Sequence, residues 1–305
     1  MPSSRNKTLV LTDAERARYS AELLRSTGKA VSFSGIEDRV LLGEIESWLP
    51  LLPDAFVDLL ILDPPYNLDM DFRGNRFVHR SSEEYLAYLR SWLSPMMRLL
   101  KPTASVYLCG DWRGSAACQQ VMEEFFLLRN RITWQREKGR GASDNWKSGC
   151  EDIWYGTCGR DFVFHLDQVK IRRRVLAPYR EKGVAKDWSQ EATGEKTRMT
   201  CPSNLWDDIT VPFWSMPENT PHPTQKPEKL LAKLILASSN PSDLVFDPFL
   251  GSGTSAVVAQ KLGRRFVGVE SQEEYCLWAL KRLENARTNS RIQGYEDGVF
   301  YQRNS

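Results

Sequence analysis

Residues 57–66 read Val-Asp-Leu-Leu-Ile-Leu-Asp-Pro-Pro-Tyr, an apolar run that ends in a carboxylate and two prolines. A run of this kind is typical of a strand that is buried on both faces of a parallel sheet. Asp63, Pro64, Pro65 and Tyr66 follow the carboxyl end of that strand, where open α/β sheets bind their ligands. The stretch therefore predicts an α/β fold with a ligand site at the carboxyl edge of the sheet.

Strands and helices alternate on both sides of this segment. Thr12 and Glu15 have the spacing of a capping box that starts a helix, and Pro102 should end another. Such alternation predicts a doubly wound, mostly parallel sheet. The periodicity predicts helices at 12–25, 44–52, 85–100, 115–126, 227–238, 255–261 and 273–286, and further strands at 39–43, 104–109, 131–134, 244–247 and 266–270.

One long segment without this alternation of strands and helices divides the chain. Residues 136–220 are rich in Arg, Lys and Gly, and they carry five of the ten tryptophans. Because disordered segments are poor in aromatic residues, we expect a folded insertion. The predicted organisation is a polar N-terminal segment with a helix at 1–30, one half of the α/β domain at 31–135, the insertion at 136–220, the other half at 221–289, and a tail at 290–305.

A second motif, Phe249-Leu250-Gly251-Ser252-Gly253-Thr254, follows the strand that ends at Asp247. Its glycines let the backbone approach a ligand, and Glu270 ends the next strand, where it can accept hydrogen bonds from ribose hydroxyls. The third glycine of the dinucleotide fingerprint is absent, and so is the lysine of a P-loop. The pattern favours S-adenosylmethionine; the alternative is an ordinary tight turn between strand and helix.

The chemistry of Asp63-Pro64-Pro65-Tyr66 suits a nucleobase amine. Such an amine is a poor nucleophile because its lone pair is delocalised into the ring. The Asp63 carboxylate and the Pro64 carbonyl can accept its two N–H bonds and direct the lone pair towards a methyl donor. Tyr66 supplies a π-face for the flat base. The segment therefore predicts methyl transfer to an exocyclic amine; the alternative is a strand that ends in a proline-stiffened turn.

The bulk composition is that of an ordinary soluble protein. The chain has 305 residues, of which 41% are hydrophobic and 26% charged. No apolar run approaches the ~18 residues of a membrane span, and the first residues lack a secretory signal, so we expect a cytoplasmic protein. The six cysteines form no C-x-x-C pair, so no metal site is predicted. Residues 129–198 contain 16 Lys/Arg against 10 Asp/Glu, which suggests a basic face.

In content and order these motifs resemble the β group of amino DNA methyltransferases, which methylate adenine N6 or cytosine N4. His222-Pro223-Thr224-Gln225-Lys226-Pro227 matches a third signature of that group, and the resemblance covers roughly residues 38–285. It implies the S-adenosylmethionine-dependent methyltransferase fold with permuted motif order and an inserted target-recognition region. His222, Thr224 and Lys226 offer donors beside a helix N-terminus, a suitable place for the cofactor's carboxylate.

The resemblance assigns roles residue by residue. Residues 151–154 resemble a strand that returns into the core, which we interpret as structural. Glu44 stands where many members have Asp, and it can still reach an adenine amino group. The catalytic residues that the resemblance implies are Asp63, Pro64, Pro65 and Tyr66. The residues implied to bind S-adenosylmethionine, and its product S-adenosylhomocysteine, are Leu62, Asp63, His222, Thr224, Lys226, Asp247, Phe249, Gly251, Ser252, Gly253, Thr254 and Glu270.

Duplex DNA is the implied partner, and its target base must leave the stack because the amine is inaccessible inside a duplex. We expect the loop after Tyr66 to close over the flipped base and the insertion to contact phosphates and base edges. A solvated charged face is the alternative for the basic run. A homodimer and a cognate restriction endonuclease are also implied. The predicted DNA contacts are Asn67, Arg73, Arg76, Arg136, Lys138, Arg140, Asn145, Lys147, Lys170, Arg172, Arg173 and Arg174.

The motifs favour adenine N6 as the target, because members of this group with Asp in the first motif position are mostly adenine enzymes. Cytosine N4 is the first alternative, although its enzymes usually carry Ser there. Enzymes that methylate RNA or glutamine side chains favour Asn at this position and place the cofactor motif first. A non-catalytic DNA-binding module is disfavoured because both motifs are intact.

Overall fold

The computed structural model describes residues 5–72, 75–136, 145–175, 179–190 and 194–302, with the backbone alone at 70–72 and 75–77. The helices of these ranges are α1 (Asp13–Glu22), α2 (Phe33–Ile36), α3 (Ile45–Trp48), α4 (Ser82–Met96), α5 (Ser115–Phe125), α6 (Glu228–Ser238), α7 (Thr254–Lys261) and α8 (Glu273–Thr288). Within these ranges, none of the helices combines the length and the apolar composition that crossing a bilayer requires.

The strands of the described ranges are distributed over two larger sheets and two hairpins. They are β1 (Leu24–Arg25), β2 (Arg39–Leu42), β3 (Val57–Leu62), β4 (Met70–Phe72), β5 (Asn75–Phe77), β6 (Leu100–Gly110), β7 (Leu127–Gln135), β8 (Cys150–Thr157), β9 (Ile171–Arg174), β10 (Arg180–Glu181), β11 (Val184–Ala185), β12 (Ser189–Gln190), β13 (Lys196–Thr200), β14 (Leu205–Trp206), β15 (Leu244–Asp247), β16 (Arg265–Glu270), β17 (Tyr295–Glu296) and β18 (Val299–Tyr301).

The main sheet has the order β1-β2-β16-β15-β3-β6-β8-β7-β14 among the described residues. Its neighbouring strands are parallel, except that β8 runs antiparallel to both β6 and β7. This confirms the predicted doubly wound, mostly parallel sheet. Strand β15 pairs directly with β3, with Phe246 opposite Leu60. Two strand ends that are far apart in the chain therefore lie side by side.

Both faces of the main sheet are covered by helices, as the apolar runs require. In β3, Leu59 and Ile61 point into one apolar cluster, and Leu60 and Leu62 point into the other. The first cluster includes residues of α1, α6, α7 and α8, and the second includes residues of α2 to α5. Each fully buried leucine contributes about 1.5–3 kcal/mol to folding, so a strand with this sequence has to lie between two layers.

The predicted start of the first helix is confirmed. The Thr12 Oγ1 accepts the Glu15 backbone N–H at 3.3 Å, and the Glu15 carboxylate accepts the Thr12 N–H at 2.9 Å. This reciprocal pair satisfies two backbone donors that the first turn of a helix leaves without partners. Helix α1 packs against α8, where Arg18 pairs with Glu284.

The predicted role of Pro102 as a helix terminator is wrong. Helix α4 ends at Met96 and a short 3₁₀ turn, Met97–Leu99, follows it, whereas Pro102 lies inside strand β6. The pairing of β6 with β3 passes from Leu100 opposite Val57 to Ser105 opposite Leu59. Pro102 therefore sits in an irregular stretch of the ladder, which is where a strand tolerates a residue without an N–H.

The second sheet joins the insertion to the C-terminal segment. Its order is β12-β13-β9-β18-β17, with β18 parallel to β9. Phe300 of β18 is fully buried, and the Lys229 ammonium donates to the Tyr301 carbonyl at 2.6 Å. Within the described residues, the segment predicted to be a tail therefore fastens the insertion to α6. Strands β8 and β14, both within 136–220, belong to the main sheet.

Candidate active site

The two motifs open onto one cavity of ≈ 730 Å³ at the carboxyl edge of the main sheet. Asp63, Pro64, Pro65 and Tyr66 line it from the end of β3, and residues 247–252 line it from the end of the adjacent β15. Glu270 at the end of β16, and Gly43 and Glu44 after β2, complete one side. The ends of four neighbouring parallel strands thus supply most of the predicted site residues. His222, Thr224 and Lys226 line the cavity from the segment before α6, whereas Leu62 and Gly253 are not among its lining residues.

The loop after β15 is held by two carboxylates. The Glu270 carboxylate accepts the backbone N–H of Gly251 at 2.8 Å and that of Gln272 at 2.7 Å. The Asp247 carboxylate accepts the Phe249 N–H at 3.0 Å and the Ser255 hydroxyl at a shorter distance. Because each carboxylate oxygen can accept more than one hydrogen bond, Glu270 keeps capacity for a ligand's hydroxyls.

Two positions of this loop require glycine. Gly253 has φ +82°, and a Cβ there would lie 2.6 Å from the Cβ and 2.9 Å from the Cα of Ala279 in α8. A Cβ on Gly251 would lie 3.1 Å from the Nε2 of His222, whose ring packs edge-on against Tyr275 with centroids 4.4 Å apart. Glycine therefore lets the loop pass between α8 and the His222 ring while the cavity stays open.

Burial changes the protonation of the acids around the cavity. It raises the pKa of Asp247 to about 7 and that of Glu270 to about 7. Burial, and secondarily the charge of Glu46, also raises the pKa of Glu44. A buried acid with a raised pKa takes up a proton more readily than the same acid does in water. A polar ligand that donates hydrogen bonds to the carboxylate replaces the lost hydration and favours the ionised form.

A compact cluster of charged side chains lies at the Asp63 side of the cavity. The Lys226 Nζ donates to the two Asp63 carboxylate oxygens at 2.8 and 2.7 Å and to the Tyr66 hydroxyl at 3.0 Å. The Tyr66 hydroxyl lies 3.1 Å from Asp63 Oδ1 and 2.9 Å from Glu151 Oε2, so it can donate to either carboxylate. The other oxygen of Glu151 pairs with Arg136. Two positive and two negative side chains therefore balance each other.

The placement of Lys226 differs from our expectation. We expected its ammonium to bind the cofactor's carboxylate, whereas the structure places it on Asp63. Burial lowers the pKa of Lys226, but the charges of Asp63 and Glu151 outweigh this effect and leave the pKa raised. Lys226 is therefore positively charged at neutral pH. Burial also raises the pKa of Tyr66 well above its ordinary value, which keeps its hydroxyl protonated.

Comparison with known proteins identifies the family. A family described as DNA methylase, of the N6/N4 type, matches residues 57–281. The Type II methyltransferase M.HpaI of Haemophilus parainfluenzae is 30% identical over 253 residues, which are 82% of this chain and 75% of that protein. The DNA adenine methyltransferase YhdJ of Escherichia coli K12 is 31% identical over 271 residues, which are 86% of this chain and 88% of that protein. This chain belongs to the N6/N4 DNA methylases.

Solved structures share the fold of this methylase. The M1.HpyAVI–SAM complex has a TM-score of 0.52 at 24% identity and covers 80% of this chain and 98% of its own. The PvuII DNA methyltransferase, described as cytosine-N4-specific, has a TM-score of 0.59 at 17% identity and covers 88% of this chain and 92% of its own. The predicted methyltransferase fold is confirmed. The predicted membership of the β group of amino DNA methyltransferases is also confirmed.

The structure of the methylase redistributes the predicted DNA contacts near the cavity. Asn67 is buried, and its side chain is fully engaged with the backbone of Arg80, to which it donates at 2.8 Å and from which it accepts at 2.7 Å. The predicted contact of Asn67 with DNA is therefore wrong, because its side-chain amide is occupied inside the protein. Arg136 lines the cavity and pairs with Glu151. Arg73, Lys138 and Arg140, together with the side chain of Arg76, lie outside the described residues.

The remaining predicted contacts lie on the surface of the insertion. Asn145 and Lys147 are exposed. Lys170 pairs with Asp167 at 2.7 Å, just before strand β9, which carries Arg172, Arg173 and Arg174. The side chain of Arg174 is 72% exposed, whereas the Arg172 guanidinium lies 5.6 Å from the centroid of the Tyr301 ring. Arg174 is thus the most accessible of the three cations.

Sequence reasoning missed two residues that shape the site. We interpreted residues 151–154 as structural, yet Glu151 is 4% exposed and reaches Tyr66 and Lys226. Its strand, β8, runs antiparallel to β6, so the start of β8 lies at the carboxyl edge of its neighbours. The other residue is Arg282 of α8, which donates to the Ser252 carbonyl and to the Thr254 hydroxyl, both at 2.9 Å.

Proposed function

We propose that this methylase transfers a methyl group from S-adenosylmethionine to the N6 amine of adenine in duplex DNA. The observation that carries the proposal is the shared cavity: Asp63 and the Gly251 loop end adjacent parallel strands and line the same space. The relative YhdJ, which aligns with 86% of this chain, is described as a DNA adenine methyltransferase. An aspartate in the first motif position supports the same target.

The residues present fit this cofactor. Glu270 offers carboxylate oxygens for a ribose diol, and it lines the cavity beside the backbone of Gly251. Glu44 lies on the same side of the cavity, where its carboxylate can accept a hydrogen bond from the amino group of the cofactor's adenine. Phe249 offers an apolar surface to the adenine ring. When bound, S-adenosylmethionine supplies a methyl group on a sulfonium centre, and this centre becomes a neutral thioether after transfer.

The side chains at the Asp63 end would prepare the amine. The Asp63 carboxylate and the Pro64 carbonyl would accept the two N–H bonds, which turns the nitrogen lone pair towards the methyl donor. Positive charge develops on the nitrogen as it is methylated, and the Asp63 carboxylate stabilises that charge. The methylated nitrogen then loses one proton, and Asp63 is the acceptor that it already contacts. Tyr85 holds this segment, because its hydroxyl donates to the Pro65 carbonyl at 3.2 Å.

Cytosine N4 is the second candidate target. Its amine is also conjugated with the ring, so the same pair of acceptors would hold it. The fold is shared with a cytosine-N4-specific enzyme, but at 17% identity that likeness concerns the fold alone. We favour adenine on the identity of residue 63, and a nucleoside analysis separates the two targets.

We propose that the insertion and the second sheet contact the duplex. Arg174 on β9 and Lys147 are exposed cations in the basic part of the chain, where contacts with phosphates would position the target. A homodimer, a cognate restriction endonuclease and a cytoplasmic location stay predictions from the resemblance and the composition.

The test is direct. Purified protein is incubated with S-adenosylmethionine labelled in the methyl group and with duplex DNA, RNA or protein, and the digested DNA is analysed by mass spectrometry. We expect N6-methyladenine in DNA alone. Label found only as N4-methylcytosine would refute the adenine assignment, and label in RNA or protein but not in DNA would refute the proposal. The Asp63→Ala variant should bind cofactor in calorimetry without transferring methyl groups. Sequencing the methylome of cells that express the chain would then identify the recognition site.

A further inference from the structure

We propose that Lys226 is a positioning residue that neutralises Asp63 in the free methylase and transfers its ammonium contact to Glu151 when the target amine binds. The inference rests on the proposed function, because it assumes that Asp63 receives an amine. It adds a role for the pair formed by Lys226 and Glu151. The sequence predicted that Lys226 binds the cofactor and that Glu151 belongs to a structural strand.

The distances create a conflict that this exchange resolves. In the free protein the Lys226 ammonium contacts both oxygens of Asp63, at 2.8 and 2.7 Å. An incoming amine needs at least one of these oxygens, so the ammonium has to give up a contact. Lys226 is 10% exposed, and a charge in that position is costly unless another partner replaces the one that it loses.

Glu151 is placed to be that partner. Its Oε2 is already 3.3 Å from the Lys226 Nζ and 2.9 Å from the Tyr66 hydroxyl. Its Oε1 pairs with Arg136, which fixes the orientation of the carboxylate and directs Oε2 towards the cavity. Glu151 is only 4% exposed, so its charge also depends on these partners. The second carboxylate is therefore oriented in advance.

The backbone of Lys226 is fixed while its long side chain can pivot. The Lys226 carbonyl accepts the Thr254 hydroxyl at 3.1 Å, and the next residue, Pro227, precedes α6. An ammonium carries three donors on a flexible four-carbon chain, and it can move between two carboxylates without losing its charge. Only hydrogen bonds change in this exchange: Asp63 gains an amine donor, and Glu151 gains the ammonium.

The pH dependence of methyl transfer reports this arrangement, because Asp63 must be ionised to accept the amine. Removing the Lys226 charge leaves Asp63 without its cation and still near the Glu151 carboxylate, which moves the acid limb of the rate profile to higher pH. Removing the Glu151 charge has the opposite effect on that limb. In the part of the chain that the structure describes, the titratable or charged groups that face Asp63 from the surrounding elements are Tyr66, Tyr85, Cys109, Glu151, Lys226 and Asp247.

The experiment measures kcat and kcat/KM for DNA against pH, with cofactor saturating, for the full chain, and the acid limb is read from kcat/KM because that ratio reports the free protein. In Lys226→Met we expect the midpoint of the acid limb to move to higher pH by about one unit or more. Lys226→Arg should keep that midpoint near the wild-type pH. In Glu151→Gln we expect a limb at lower pH and a kcat about tenfold lower, because the displaced ammonium loses its charged partner. Glu151→Asp should recover part of the rate. Cofactor affinity, measured by calorimetry, should stay unchanged in all four.

Lys101→Met is the matched control. Lys101 donates to both oxygens of Asp58 at 2.8 Å, and Asp58 lies near the other end of the same strand, β3. This variant removes an ion pair of the same geometry away from the cavity, and it should leave the acid limb in place. Equal shifts in Lys101→Met and Lys226→Met, or limbs at the wild-type pH in both Lys226→Met and Glu151→Gln, would overturn the proposal. A wild-type protein without activity on DNA would instead refute the proposed function, and this inference with it.

Discussion

Gly253→Ala tests whether the packing of the cofactor loop against α8 is as close as the structure shows. The backbone at this position has φ +82°, and an added Cβ would lie 2.6 Å from the Ala279 Cβ. A left-handed conformation costs a residue other than glycine about 1–2 kcal/mol. Overpacking a close contact costs about 1–3 kcal/mol more. We therefore expect the variant to lose about 2–5 kcal/mol of unfolding free energy.

Gly263→Ala separates the two contributions. Gly263 follows the other end of α7 and has φ +70°, but nothing lies within 4 Å of an added Cβ. This control should lose only the conformational cost of about 1–2 kcal/mol. Urea unfolding followed by tryptophan fluorescence gives both losses, provided that the slope with denaturant is the same in the three proteins. The difference between the two losses of unfolding free energy is the cost of the close contact with α8.

The double variant Gly253→Ala/Ala279→Gly provides a second check. Removing the Ala279 Cβ relieves the closest contact, although the α8 backbone atom at 2.9 Å remains, so we expect partial recovery. Equal losses in Gly253→Ala and Gly263→Ala would refute the reasoning, because the contact with α8 would then carry no energy. Calorimetry should also show weaker binding of S-adenosylmethionine by Gly253→Ala than by Gly263→Ala, since only Gly253 belongs to the cofactor loop.

Three further predictions concern the site and the DNA surface. Asp63→Asn should lower kcat by about 100-fold or more while cofactor affinity is unchanged in calorimetry, and equal losses of both would contradict its role. Glu270→Gln should raise the cofactor's dissociation constant about tenfold. Burial raises the pKa of Glu270 from 4.5 to about 7, so between these pH values the native state keeps a proton that the unfolded state releases. The unfolding free energy of the cofactor-free protein should therefore fall as the pH rises from 4.5 to about 7, and it should fall less in Glu270→Gln. Arg174→Ala should reduce the slope of log affinity against log salt by about 0.9 in DNA-binding titrations, whereas Arg90→Ala, which removes a pair with Glu124 between α4 and α5, should not.

Most of the helices and the core strands could be predicted because their signals are local. An apolar run such as 57–62 has few ways to bury both of its faces, and a capping box such as Thr12–Glu15 acts within one turn. The error at Pro102 has a tertiary cause. Whether proline ends a helix or occupies a ladder irregularity depends on the register with β3, and no local pattern contains that register.

The chemistry of the candidate site was visible in the motifs, but the relations between its charged residues were not. Asp63 and the Gly251 loop were both predicted to lie at carboxyl ends of strands, and the rule that places ligands there brought them together. Lys226 was assigned to the cofactor because it precedes a helix, whereas the structure places it on Asp63. Glu151 could not be found from sequence, since its position depends on the antiparallel direction of β8.

The sequence by itself determined the class of fold, the order of the two motifs and the kinds of atoms that each presents to a ligand. These follow from hydrophobic periodicity and from backbone chemistry, which act over a few neighbouring residues. Only the tertiary structure decided which carboxylate meets which cation, and that the segment after residue 290 completes the sheet of the insertion. The reason is that ion pairing and strand pairing depend on distances between residues far apart in the chain, and the packed core sets those distances.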